Sequence, residues 1–356
     1  MEKKRIIFFA YNLDIGGIER AILNYVKKID KNKYDVYLML EKKEGIYLDE
    51  VPDDVKVIDY NICRSNNVIF RKLINGFKII YFSLKYYNKF YFSACFATSV
   101  KSCAILAKNF SKNNAIWFHG EYWYDEKEAN KFLKYIRADK YKKVVFVANK
   151  LRDNYLKVRP NTKQELYVIN NLVDYEAMLD KSKEKIELKR EKLTFLNVGR
   201  HEEYAKRLSI MLEALARLLN EGYDFNLLLI GDGPDRKMYE DLVKEFNIDD
   251  NVKFLGKKNN VFPYYKLCDC VLLSSFMEGN PVVYLESKVM NKPIISTDIS
   301  DAKIELNGYG IVTDFNVDSY YNGVKEFLDN GYCIKKKFNP VKYNKNVMSL
   351  LYKVID

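Results

Sequence analysis

The sequence predicts an α/β protein of two domains, each built on a parallel sheet. A chain of 356 residues is longer than one ordinary hydrophobic core holds. Short runs rich in Val, Ile and Leu alternate with helical stretches of ten or more residues, the pattern of strand–helix–strand units. Glycines and charged residues then stand just past several of those runs, at the strand ends where ligands of parallel sheets bind.

The opening, MEKKRIIFFAYNL, is charged and then apolar for only a few residues. It reads as a first strand, too short for a signal peptide or a membrane span. Residues 15–29, IGGIERAILNYVKKI, follow as a helix with Ile18, Ala21, Ile22, Tyr25 and Val26 on one face. Gly16 and Gly17 lie between strand and helix, where the chain simply turns or where a side chain would crowd an approaching ligand. VYLML (36–40), VKVID (55–59), ACFAT (94–98), AIWFH (115–119) and VVFVA (144–148) read as further strands. The chain then crosses through YVINNLVD (167–174) to KSKEKIELKREK (181–192), a solvated helix or linker that marks a boundary. The expected domains are 1–180 and 181–338, with 339–356 as a helix packing back on the first.

In the second half, FLNVGR (195–200) is a strand ending in Gly199 and Arg200, followed by the polar loop HEEYA and by Lys206 opening a long helix. NLLLIGDGP (226–234) is a buried strand running into a turn with Gly231 and Gly233; VKFLG (252–256) is a third strand. CVLLSS then leads into EGNPVVYLE (278–286), and KPIISTD (292–298) follows. Glu278 and Glu286 have seven residues between them, about two helical turns, so a loop and helix can present both on one side. The helix mouth near Gly279, Asn280 and Pro281 offers unpaired N–H groups and partial positive charge, which suits a phosphate-bearing ligand. The glutamates suit sugar hydroxyls instead; the plainer reading is a helix with a solvated Glu at each end.

The order VGR…K, GDGP, FLG, the glutamate pair around GNP, and PIISTD followed by Gly310 resembles family 4 (group 1) of the retaining nucleotide-sugar glycosyltransferases, in bacterial polysaccharide assembly. The likeness covers nearly the whole chain. It implies the GT-B fold, two Rossmann-like domains with a donor/acceptor cleft between them. It implies that Arg200 and Lys206 bind the donor's pyrophosphate, that Glu278 approaches the transferred sugar, and that Glu286 holds the ribose hydroxyls. Gly16 and Gly17 would lie against donor phosphates and acceptor, and His119 would face the sugar. Gly199, Gly231, Gly233, Gly279, Asn280 and Pro281 complete the implied donor site. Three features depart from the usual pattern: one extra residue between Arg200 and Lys206, Asn280 where a larger apolar residue is common, and NLVD (171–174) for Asn-Gly-x-Asp.

The sequence contains no Gly-x-Ser-x-Gly elbow, no Cys with a plausible His partner, and no Asp-x-Asp to anchor a divalent metal. Neither a metal nor a cofactor is therefore expected, and Arg200, Lys206 and helix N-termini would offset charge on the leaving diphosphate. A dinucleotide-dependent dehydrogenase is excluded because the nearest glycine motif, Gly231-Asp232-Gly233-Pro234-Asp235-Arg236, ends in Arg where helix packing requires Gly. His119 reads either as a structural hydrogen-bonder or as a sugar contact; His201, the other histidine, as a loop residue near the phosphates. The six cysteines show no metal or redox spacing and read as reduced, mostly buried thiols of a cytoplasmic protein.

Residues 1–175 carry 32 Lys and Arg against 20 Asp and Glu, a surplus of 12, while the remainder nets −1 within the chain's total of +11. No acid occurs between Asp59 and Glu121, where nine basic residues do. Within that span FRKLINGFKIIYFSLKYYNKFYF (70–92) interleaves aromatics with Lys and Arg, part core and part interfacial surface. No nucleic-acid recognition motif accompanies it. The expected partners are a nucleotide sugar (UDP-sugar favoured), a glycan or polyprenyl-diphosphate-linked glycan acceptor, and an anionic surface at the inner face of the cytoplasmic membrane. The alternative is a non-catalytic nucleotide-sugar-binding chain or partner subunit.

Overall fold

The computed structural model of the protein describes residues 2–14, 16–120 and 125–356. The chain divides into two compact units, Met1–Leu172 with Val341–Asp356, and Val173–Pro340. The crossing between them therefore precedes the charged stretch 181–192. Beyond Lys181, the last helical residue before it, that stretch carries no helix; Ile186 and Leu188 within it pack against the second unit's core.

The first unit runs β1 (Lys4–Ala10), α1 (Gly17–Lys28), β2 (Tyr34–Leu40), β3 (Lys56–Asp59), α2 (Val68–Tyr86), β4 (Phe92–Cys95), α3 (Lys101–Phe110), β5 (Asn114–Phe118), α4 (Glu126–Tyr135), β6 (Lys143–Phe146), α5 (Asn149–Val158) and β7 (Glu165–Val168). Among the described residues its strands form a seven-stranded parallel sheet in the order β3-β2-β1-β4-β5-β6-β7. Helices cover both faces of such a sheet, which is why Ile6, Ile7, Phe8 and Phe9 are consecutively apolar and all fully buried. The crossing segment read at 167–174 begins as part of β7, which pairs with β6.

The second unit runs α6 (Tyr175–Lys181), β8 (Leu193–Val198), α7 (Glu203–Lys206), α8 (Leu208–Asn220), β9 (Phe225–Ile230), α9 (Arg236–Glu245), β10 (Val252–Gly256), α10 (Phe262–Leu267), β11 (Cys270–Leu273), α11 (Val282–Val289), β12 (Ile294–Thr297), α12 (Ala302–Glu305), β13 (Gly310–Thr313) and α13 (Val317–Asn330). Its described strands form a six-stranded parallel sheet, β10-β9-β8-β11-β12-β13. Both sheets are doubly wound: the order grows outward to one side of β1 or β8 and then reverses to the other. A crevice opens at such a reversal, beyond the carboxyl ends of the strands.

One helix differs from the sequence reading. Lys206 does not open a long helix; it closes the one-turn α7, and Arg207 takes a left-handed conformation (φ 47°) before α8 begins. A non-glycine residue there interrupts the helical hydrogen-bond ladder and turns the chain, so α8 starts two residues later than the sequence reading placed it.

The last helix, α14 (Pro340–Ile355), returns to the first unit, where Val347, Leu351, Val354 and Ile355 are buried in its core. Its C-terminal carbonyls find side-chain donors: Lys143 Nζ donates to Val354 O (2.6 Å) and Asn113 Nδ2 to Ile355 O (2.7 Å). Asp356 accepts from Lys33 (2.7 Å), Lys4 (2.9 Å) and Tyr34 (3.0 Å). Partial burial alone would raise its pKa, but these donors outweigh that and hold it at about 2. Leu351→Ala should cost about 2–5 kcal/mol, the range for emptying a fully buried leucine site. Urea unfolding followed by tryptophan fluorescence, which reports Trp117 in that core, should show the loss; an unshifted midpoint would mean that α14 is not integral to the unit.

Candidate functional site

In the second unit the order reversal falls between β8 and β11, so the segments leaving these two strands meet there. Gly199 N–H donates to Ile230 O (3.0 Å), His201 N–H to Asp232 O (3.0 Å), and Asp235 N–H to His201 O (3.1 Å). These bonds zip the segment after β8 against the turn after β9. The approach is close enough to require glycine: a Cβ on Gly231 (φ 139°) would lie 1.8 Å from Gly199 O, and one on Gly233 2.2 Å from His201 O. Gly199 is different, because a Cβ there would meet only Lys206 Cε, at 3.9 Å. Packing of the protein does not demand glycine at 199, and the space above it faces Lys206.

The loop after β11 is tied to α7 from the other side. Phe276 N–H donates to Ala205 O (2.8 Å) and Ser274 Oγ to Lys206 O (3.0 Å). This sets the Lys206 ammonium directly on Glu278 Oε1, an oxygen that also accepts from Ser275 Oγ (2.9 Å). Ser275 is itself braced, its carbonyl accepting from Thr297 Oγ1 (2.6 Å), and Ser300 Oγ donates to Gly279 O. Of the residues singled out in the sequence, Lys206 and Glu278 are thus brought into contact. Their side chains keep about a fifth of their surface exposed (21% and 17%).

Arg200 is not drawn into that pair. Its side chain is 66% exposed and lies 3.0 Å from Glu202, with the guanidinium reaching solvent at the mouth of β8. Glu286 sits on α11, one oxygen accepting from the buried Tyr265 hydroxyl at 2.6 Å. Asn280 and Pro281 are buried just before α11 begins, with Pro281 at its N-cap.

Sequence reasoning missed Arg207 and the aromatic pair beside it. The Arg207 guanidinium lies over Phe276 (5.8 Å) and Phe315 (6.0 Å), whose rings are 4.6 Å apart. The Lys206-Arg207 doublet was visible, but nothing local signals a left-handed arginine.

In the first unit the order reverses between β1 and β4. Ile15, which opens the expected glycine segment, lies outside the described residues. Gly16 is the extended N-cap of α1, and Gly17 is its first residue. A Cβ on Gly16 would meet Glu19 Oε2 at 2.1 Å, so an acidic side chain folds across this helix mouth. Burial pushes the Glu19 pKa up, its own backbone N–H opposes that, and nearby Asp14 raises it further. His119 follows β5 with its ring 4.3 Å from Phe96, and its buried Nε2 has no partner among the described residues. Burial pushes its pKa down to about 3, so the imidazole is neutral in any physiological setting. His201 is fully buried beside Tyr239 and Phe254; burial first, then Arg236, lowers its pKa against the pull of Asp232 and Glu240. It is a core residue beneath the glycine turn, not an open loop contact.

Among the described residues no three His, Cys, Asp or Glu side chains are arranged to hold a metal ion.

Residues 179–347 match the family model for glycosyl transferases group 1. The chain is 23% identical over 349 residues to an uncharacterized glycosyltransferase of Haemophilus influenzae, covering 92% of this chain and 91% of that one. It is 29% identical over 179 residues to the N-acetylgalactosamine-N,N'-diacetylbacillosaminyl-diphospho-undecaprenol 4-alpha-N-acetylgalactosaminyltransferase of Campylobacter jejuni, covering 49% and 47% of the two chains. Its fold matches that of Anabaena HepE, solved in complex with UDP, with a TM-score of 0.75 and 15% identity over 98% of this chain and 100% of that one.

The two histidines, both with lowered pKa values, give a pH signature. Unfolded histidine binds a proton near pH 6.5, whereas these folded imidazoles resist it, so stability is lost as pH falls below 6.5. Glu50 and Asp356, held at about 2 in the folded state, lose their contribution only at lower pH, near and below the ordinary carboxylate range. Between about pH 6.5 and 5 the unfolding midpoint should therefore drop, and drop less in His119→Gln or His201→Gln. Profiles parallel to wild type in both variants would show that these imidazoles protonate freely in the folded protein.

Proposed function

Since the chain belongs to the group 1 glycosyltransferases and has the GT-B fold, we propose that it transfers a hexose-type sugar, with retention, from a UDP-sugar to a glycan or polyprenyl-diphosphate-linked glycan in cell-surface polysaccharide synthesis. The observation that carries this reading is the meeting of Lys206 and Glu278 at the order reversal of the second sheet, under an open Gly199. A cation for the diphosphate and a carboxylate for the sugar hydroxyls start from one point. The UDP held by HepE supports the choice of nucleotide, and the diphospho-undecaprenol substrate in the Campylobacter enzyme's name supports a lipid-linked acceptor.

In this reaction the bond from the sugar's anomeric carbon to the diphosphate breaks, and an acceptor oxygen bonds to that carbon on the same face. The acceptor's proton passes to the leaving phosphate oxygen. Lys206, transferring from Glu278 to phosphate, and Arg200 balance the charge that develops on the diphosphate, with the N-terminal end of α11 adding its partial charge. Glu278, still held by Ser275, then accepts from a sugar hydroxyl, and Glu286 from the ribose. Neutral His119 contacts the sugar as a hydrogen-bonding group, not as a proton reservoir, because its pKa of about 3 leaves it uncharged. Protein cations do the work of a divalent metal, and the protein acts peripherally at the inner face of the cytoplasmic membrane. No described helix is long and apolar enough to cross a membrane.

Lys206→Ala should lower kcat at least ten-fold, since about 1.4 kcal/mol of lost transition-state stabilisation already gives that factor. Glu278→Gln frees Lys206 from its partner, so donor KM should hold or fall while kcat drops; Glu286→Ala should instead raise KM. Initial rates of UDP release across a UDP-sugar panel measure all three, and near-wild-type constants throughout would leave the motif structural and the chain a binding subunit. Turnover should also persist in excess EDTA. Activity that vanishes with chelator and returns with magnesium or manganese would overturn the account of charge balance.

A further inference from the structure

Helix α2 is fastened to the first unit by one face only. Asn75 exchanges two hydrogen bonds with the backbone of Cys63, at 2.8 and 3.1 Å, and Asn109 donates to Ser83 at 3.0 Å. The Tyr86 ring lies 5.1 Å from that of Phe110. The opposite face is free, and it is apolar. Ile69, Leu73, Phe77, Ile80, Leu84 and Tyr87 recur at spacings of four, four, three, four and three, which is one continuous stripe on a helix. Each is more than half exposed, with Leu84 at 74% and Ile69 at 73%, and no residue of the 19-residue helix is fully buried. Six adjacent large apolar side chains in water form a patch well beyond the scattered exposure of ordinary surfaces.

What covers this stripe is decided by its rim. Arg71, Lys78 and Lys85, each two turns from the next, line one edge, and Lys72 stands on the other. Arg71, Lys72 and Lys85 are exposed, Lys78 is half-buried with its ammonium on Asn61 O, and no acid occurs in the sequence from Asn61 to Gly120. A second copy of this chain would set basic rim against basic rim. An anionic bilayer surface matches both features, taking the apolar stripe among its acyl chains and the cations at its phosphates. We propose that α2 is an interfacial helix which lies in the plane of an anionic membrane, with Phe77 and Leu84 among the inserted side chains. The inference deepens the membrane-borne-acceptor reading and rests on it only for its purpose.

The test uses the full chain with vesicles of phosphatidylcholine alone or of equimolar phosphatidylcholine and phosphatidylglycerol. Wild type should sediment with the anionic vesicles, stay free of the neutral ones, and detach at 1 M salt, where the screening length shrinks to ~3 Å. Phe77→Glu with Leu84→Glu, and separately Lys72→Glu with Lys85→Glu, should each weaken anionic binding by about ten-fold or more, through lost insertion and through reversed charge respectively. All four positions face solvent, so thermal unfolding should be unchanged. Equal binding of both variants and wild type, or wild-type binding to neither vesicle, would overturn the proposal. So would a wild-type dimer in light scattering that Phe77→Glu with Leu84→Glu converts to monomer, because the stripe would then belong to a second copy. UDP release to a water-soluble acceptor, measured on the same samples, keeps the two readings apart: wild type that binds vesicles through α2 without releasing UDP sinks the transferase reading and leaves this one standing.

Discussion

A parallel sheet has to be covered by helices on both faces, and the rest of this protein is arranged around that requirement. Each strand must be apolar on both sides, so β1 carries the unbroken run Ile6–Ala10 and β11 is apolar throughout. Each connection must cross to one face or the other. Where the strand order reverses beside β8, successive connections depart to opposite faces, and the carboxyl ends of β8 and β11 are left for loops alone to fill. Backbone N–H groups and short polar side chains can collect there without disturbing either apolar layer.

That separation explains how charge is kept at the site at small structural cost. The Lys206–Glu278 pair is partly exposed, and an ion pair of that kind contributes at most about 1 kcal/mol to folding. The apolar layers hold the fold, with Phe195, Leu215 and Leu229 fully buried on one side of the second sheet and Val271 and Ile294 on the other. Under the proposed reaction, a lysine exchanging its carboxylate for a phosphate would therefore not threaten the scaffold. What the scaffold must supply is position, and it does so through backbone: the bonds from Phe276 to Ala205 and from His201 to Asp232 are insensitive to what the side chains bind.

Much of this was legible in the chain. The alternation of β-rich runs and helical stretches predicted two parallel α/β units, and strand-end positions pointed to Arg200, Lys206 and Glu278, of which the last two do meet. Other features were not. The left-handed Arg207 lies against Phe276 and Phe315, residues 69 and 108 positions away. His201 looked like a loop residue because its neighbours are polar; only the turn at 231–235 folding over it makes it core. In α2 the aromatics were legible as a mixture of core and surface, but not which were which. The division was set by where α3 and the 60–63 segment lie.

The sequence by itself determined the period of each element, the burial of the strands, and the chemistry available at strand ends, because these follow from side-chain type and spacing along one chain. Tertiary structure alone decided which strand ends become neighbours, which glycines are needed for close backbone approach, and which apolar face of a helix is left to solvent. Those are properties of pairs of segments distant in the chain, and the order reversal that brings 199–207 to 274–281 is written in no local stretch of either.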